Sequence, residues 1–103
     1  MLPLWVSAWA DDQWLTIDLG NRFALKRIVI NWESAYGLHY QILVSLNNKK
    51  WTPVYEQESS DGRIDEIELK AVPARYVKFH GIKRATEWGF SMWEFEVYGN
   101  RLR

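Results

Sequence analysis

The run Lys26-Arg27-Ile28-Val29-Ile30-Asn31-Trp32-Glu33 decides the fold class. Ile28, Ile30 and Trp32 fall on one side of an extended chain, with Arg27, Val29 and Asn31 on the other. That is the period-two pattern of a half-buried strand. The pattern recurs in both directions. Upstream, Leu15, Ile17 and Leu19 alternate with Trp14, Thr16 and Asp18 before Gly20-Asn21 stops the run. Downstream, a turn around Ser34 to Gly37 leads into His39 to Ser45, where Tyr40, Ile42 and Val44 share a face and Asn47-Asn48 signals a turn. Trp51 to Gln57 reads as another strand, with Pro53 marking it as an edge or a bulge. Ser59-Ser60-Asp61-Gly62 is a loop, and Asp65 to Leu69 alternates through Ile67 and Leu69. In Arg75 to Ile82, Val77 and Phe79 oppose Tyr76, Lys78 and His80. In Ser91 to Tyr98, Trp93, Phe95 and Val97 oppose Glu94, Glu96 and Tyr98.

Seven short alternating strands with no window of helical period predict an all-β antiparallel sandwich or barrel. Residues 1–13, with Trp5 and Trp9 among small residues and Asp11-Asp12, read as a loop leading into the first strand. The 103 residues make one domain. A chain of this length buries roughly 60 to 70% of its unfolded surface, enough for one core.

Composition excludes several function classes. At 48% hydrophobic and 25% charged the chain is globular. No stretch reaches the ~18 to 20 apolar residues of a membrane helix, and no signal-peptide pattern opens the sequence. Thirteen basic and thirteen acidic residues cancel, so there is no electrostatic footprint for nucleic acid or anionic lipid. The absence of cysteine excludes disulfides and thiolate metal sites. The one excess is aromatic: seven tryptophans are more than a core of this size requires, which assigns some of them to a surface.

No nucleophile elbow, phosphate loop, zinc-protease motif or EF-hand loop is present. His39 and His80 read as solvated strand residues, and no His/Asp/Glu cluster has ligand spacing, so no metal site is expected. The carboxylate pairs Asp11-Asp12, Asp65-Glu66 and Glu94/Glu96 lack the cleft that two-carboxylate glycoside hydrolysis needs. The chain therefore reads as a binding domain rather than an enzyme. Sugars offer apolar C–H faces ringed by hydroxyls, which suit a stacked aromatic ring and a few fixed polar groups. Trp9 beside Asp11 and Asp12, Glu33 and Tyr36 in the second-strand turn, and Arg84 with Trp88 in the last loop supply those groups. Loop tryptophans equally fold over the end of a sandwich core, and Glu33 equally suits an ion pair with Arg84.

Several segments resemble discoidin-like domains, also called coagulation factor V/VIII type C domains. Gln13-Trp14-Leu15-Thr16-Ile17-Asp18-Leu19-Gly20 is similar to that family's first matched strand. Ile30-Asn31-Trp32-Glu33, Tyr40-Gln41-Ile42-Leu43-Val44-Ser45, Trp51-Thr52-Pro53-Val54-Tyr55 and Ala74-Arg75-Tyr76-Val77-Lys78 follow in the family's order. Arg84 to Gly99 is the most specific run and resembles carbohydrate-binding module family 32. The resemblance implies a jelly-roll sandwich that binds glycans by its loops, does no chemistry itself and acts outside the cell. It implies carbohydrate-binding roles for Trp9, Glu33, Tyr36, Arg84 and Trp88, with a β-glucan or chitosan-like polysaccharide as partner. An adhesion or protein-interaction role, or a domain without retained binding, is the alternative.

The sequence departs from the family at three points. Leu4 stands where a polar residue commonly precedes the tryptophan matched by Trp5. The family's first strand has no counterpart, which leaves a sheet edge open and predicts a homodimer through it. Of the family's structural calcium ligands only Glu94 is matched, so no calcium or other cofactor is expected.

Overall fold

Gly20-Asn21, which ends a strand in the sequence reading, bends one instead, and a second strand bends where no breaker stands. The computed structural model describes residues 5–6, 13–32, 37–60, 62–84 and 91–102. Among them are six strands: β1 (Trp5–Val6), β2 (Gln13–Trp32), β3 (Gly37–Ser45), β4 (Thr52–Gln57), β5 (Ile64–Arg84) and β6 (Ser91–Arg101). The two strands expected at residues 14–19 and 26–33 are the two arms of β2. Those expected at 65–69 and 75–82 are the arms of β5. In β2 the corner is Gly20, whose φ of 84° lies in the left-handed region that glycine enters without a Cβ clash, and Asp18 Oδ1 accepts a hydrogen bond from the Gly20 amide at 2.8 Å. In β5 the corner is Ala71 at φ 52°, opposite a register shift between Leu25 and Arg27. Trp5–Val6, read as loop, is instead a short strand paired with Met92 and Ser91.

All pairs are antiparallel and the order is β1-β6-β2-β5-β3-β4. The corners fold this continuous sheet into a sandwich, because a strand that bends can serve both layers. One layer holds β1, β6 and the arms Phe23–Trp32 of β2 and Ile64–Ala74 of β5. The other holds the arms Gln13–Asp18 and Tyr76–Arg84, with β3 and β4. Pro53 sits on the edge strand β4 beside a bulge, as its missing N–H requires.

The core lies between the layers. Leu25, Ile28, Ile30, Trp32 and Phe95 from the first meet Tyr40, Ile42, Val77 and Phe79 from the second. Trp32 packs edge-on against Tyr40 and Phe79, each at 5.7 Å between ring centres. Such buried side chains contribute about 1.5–3 kcal/mol apiece. Of the predicted inward positions, Ile28, Ile30, Trp32, Tyr40, Ile42, Val44, Ile67, Val77, Phe79 and Phe95 are buried, and Leu15, Ile17, Leu19, Leu69 and Val97 are half-buried against them. Val29 and Met92 are buried as well, and Met92 lies beyond a bulge between Asn31 and Trp32 that breaks the alternation of β6.

Candidate functional site

Strand register brings the connections that carry the sequence-predicted residues to one end of the sandwich. Val6 pairs with Ser91 and Trp32 with Met92, so β1 and β2 end where β6 begins. Gly37 pairs with Arg84, and Gln13 with Gly81, so β3 and β2 begin where β5 ends. The two layers reach this end together, since Trp32 of one contacts Tyr40 of the other. Connections 7–12, 33–36 and 85–90 therefore leave from and return to the same end. Trp9, Glu33, Tyr36 and Trp88 lie on them, outside the described residues. Arg84 is the last residue of β5, and its side chain is likewise outside the description.

Below these connections is a polar knot the sequence reading missed. Asp65 Oδ2 accepts hydrogen bonds from Trp32 Nε1 at 3.0 Å, Tyr40 OH at 2.6 Å and Ser60 Oγ at 3.0 Å. Ser60 is buried, and its amide donates to the Leu38 carbonyl at 3.1 Å. Burial first, then the hydrogen bond to Asp65 and its charge, pushes the Tyr40 phenol far above its ordinary range. Burial and the Asp65 charge raise Tyr55 as well. The knot fixes the position of Trp32, the residue from which connection 33–36 departs. Its only sequence signal was a loop serine and a strand-start aspartate, which are common on any surface.

Two further features lie on the described surface. Trp14 is 60% exposed and meets His80 edge-on at 5.8 Å between ring centres, while Lys78 Nζ stands 4.1 Å over the Trp51 ring. Some tryptophans are thus at the surface, as their number implied. At the opposite end, a hollow of about 620 Å³ is lined by Asn21, Arg22, Arg101 and Leu102. Among the described residues that line it, none is an aromatic on which a sugar face would stack.

Glu94, the one residue matched to the family's calcium ligands, lies on β6 beside Glu96. Glu94 hydrogen-bonds with Glu96, which raises Glu94 and lowers Glu96; the Tyr98 hydroxyl, donating to Glu96, is the larger cause of the latter shift. One other group with metal-ligand chemistry occurs among the described residues: His39, Glu56 and Glu58, whose ligand atoms all lie within 4.8 Å of one another. Spacing along the chain could not show it, because β3–β4 pairing brings residues 17 apart together.

Residues 3–95 match the F5/8 type C domain model, and the chain belongs to this family. Chitosan-binding module 2 of a chitosanase/glucanase from Paenibacillus sp. IK-5, solved in complex with chitotriose, is 42% identical, with a TM-score of 0.89 over 93% of this chain and 77% of that one. Chitosan-binding module 1 of the same enzyme is 44% identical, with a TM-score of 0.88 over 93% and 76%. CpGH89CBM32-5 from Clostridium perfringens, in complex with GalNAc-β-1,3-galactose, shares the fold at 18% identity, with a TM-score of 0.80 over 93% and 75%. No curated protein matches the chain.

Proposed function

We propose that this domain is a non-catalytic carbohydrate-binding module for glucosamine-containing chains or neutral β-glucans. The observation that carries the reading is identity of 42% and 44% to two chitosan-binding modules along 93% of this chain. The shared strand ends of connections 7–12, 33–36 and 85–90 support it. In this reading Trp9 and Trp88 stack on sugar faces, and Tyr36 and Arg84 hydrogen-bond to hydroxyls. Glu33 accepts from a hydroxyl or, more strongly, from the ammonium group of an amino sugar. A uronate would meet repulsion from Glu33 and its acidic neighbours, so alginate and pectin rank below chitosan and β-glucan. Polysaccharides of this kind lie outside cells, and an extracellular place of action goes with them.

Calorimetric titration with chitosan, β-glucan and uronate oligomers tests the proposal. Stacking contributes roughly 1–3 kcal/mol per ring on aromatic platforms, and about 1.4 kcal/mol is a decade of affinity. Trp88→Ala is therefore expected to weaken binding roughly tenfold to a hundredfold. Unchanged affinity in that variant removes Trp88 from the site, and tighter binding of uronates overturns the ligand ranking.

A further inference from the structure

We propose that His39, Glu56 and Glu58 form a binding site for a divalent transition-metal ion, with zinc the best match to the donors. The site is on the β3–β4 edge and does not depend on the carbohydrate reading. Zinc takes one imidazole nitrogen and two carboxylate oxygens readily, at about 2.0–2.2 Å each, with water completing a tetrahedron. Ligand atoms around such an ion stand roughly 3.3 Å apart. Here the three lie within 4.8 Å of one another, and His39 Nε2 is 2.6 Å from Glu56 Oε2. An ion entering between them has only to part that pair slightly and draw in the exposed Glu58.

The backbone holds the donors in place before any ion arrives. Glu56 lies opposite Gln41 in the β3–β4 register, and bulges on both sides of His39 set the direction of its side chain. Gln41 Nε2 donates to Glu56 Oε1 at 3.2 Å, orienting the carboxylate while Oε2 faces His39. A partner of this kind, one step removed from the ion, fixes a ligand's geometry and sharpens affinity. The segment bearing Glu58 is tied back by the Ser60 amide on the Leu38 carbonyl and by the Ser59 amide on Gln57 Oε1 at 3.3 Å. The backbone that bears Glu58 is thus held beside β3, with the Glu58 side chain exposed.

Charge is consistent with the assignment. Two carboxylates offset a dipositive ion. Lys83, opposite His39 in the β3–β5 register, is the neighbouring cation and works against a tight site. Calcium is disfavoured, since it takes six to eight oxygens and this site offers an imidazole and two carboxylates.

The test uses the chain without a polyhistidine tag, stripped with chelator and titrated with zinc chloride by calorimetry, alongside a thermal melt. One ion per chain and a zinc-dependent rise in Tm are expected. His39→Ala, Glu56→Gln and Glu58→Gln should each weaken binding by more than about tenfold, since loss of even a supporting partner costs 10–100-fold. His80→Ala should bind as the parent does. All four positions are at least partly solvent-exposed, and circular dichroism checks that the variants fold. Absence of binding at millimolar zinc overturns the proposal, as does parental affinity in His39→Ala or Glu58→Gln. Equal affinity for calcium also overturns it, because the imidazole would then contribute nothing.

Discussion

Tyr40 donates its hydroxyl hydrogen to Asp65 Oδ2 at 2.6 Å, joining β3 of one layer to β5 of the other. Trp32 and Ser60 donate to the same oxygen, so one carboxylate ties both layers and the β4–β5 connection at the loop-bearing end. Asp65→Ala strands three donors. A buried donor left without a partner costs about 1–3 kcal/mol, so a loss of about 3 kcal/mol or more is expected. Tyr40→Phe removes one donor and leaves the carboxylate two, so about 1–2 kcal/mol is expected there. Urea unfolding of both variants measures the difference. Equal losses would show that the bonds from Trp32 and Ser60 to Asp65 add nothing to that from Tyr40.

The same pair makes the fold sensitive to alkali. The Tyr40 phenol is raised from its ordinary value of 10.0, mainly by burial, and Tyr55 is raised too. Below about pH 10 the folded and unfolded chains both keep these protons. Above it the unfolded chain releases protons that the folded chain holds, so stability falls as pH rises. Stability is expected to be level from neutrality to about pH 9 and then to drop by up to about 1.4 kcal/mol per pH unit for Tyr40. Urea midpoints between pH 8 and 11.5 follow this, and Tyr40→Phe should flatten the slope. An unchanged slope in the variant would assign the alkaline loss to other groups.

Much of the core was legible in the sequence for a simple reason: a sandwich strand with one buried face must alternate. Ile28, Ile30, Trp32, Tyr40, Ile42, Val44, Val77, Phe79 and Phe95 were assigned inward on that ground and all are buried. The corners were not legible. Gly20-Asn21 carries the same signal whether a strand stops or bends, and Ala71 at φ 52° carries none, since alanine does not favour that conformation. Met92 is turned inward beyond a bulge that no residue type announced. Asp65 and the His39–Glu56–Glu58 group were hidden for a different reason. Each is assembled across strands, and pairing register is a property of the folded sheet.

Gly99 is a second place where the backbone decides. It pairs with Leu25 where β6 runs beside β2. A Cβ built there would stand 2.3 Å from the Ala24 carbonyl oxygen and 3.0 Å from Leu25 Cα, both backbone atoms that cannot rotate away. Gly99→Ala is therefore expected to push β6 off β2 and to cost about 1–3 kcal/mol, the range for overpacking. Gly20→Ala meets no atom within 4 Å and strains only the left-handed φ, for which about 1–2 kcal/mol is expected. Thermal melts separate the two when combined with hydrogen exchange: Gly99→Ala should speed exchange along β2 and β6, and Gly20→Ala only at the corner. Slow exchange throughout β6 in Gly99→Ala would mean that the strand pair absorbs the methyl group.

The outer edge of β6 carries the last prediction. Its inner side pairs with β2 from Phe23 to Trp32, whereas on its outer side β1 pairs only with Ser91 and Met92. From Glu94 to Arg101 no strand among the described residues takes up the outward N–H and C=O groups. Beside this edge, Leu19, Phe23, Leu25, Val97 and Gly99 line a hollow of about 120 Å³, room for an apolar side chain from an added strand. An open edge next to an apolar hollow is a template for strand addition. A formal net charge of zero supplies no repulsion between copies. Two copies meeting through the same edge form a closed two-fold pair, so a homodimer of this kind is expected. Sedimentation across a concentration series should show the mass climbing from one chain to two, with hydrogen exchange slowing along Glu94–Arg101 as it does. A single-chain mass at high micromolar concentration, with cooperative melting, would show that the edge is closed within one copy.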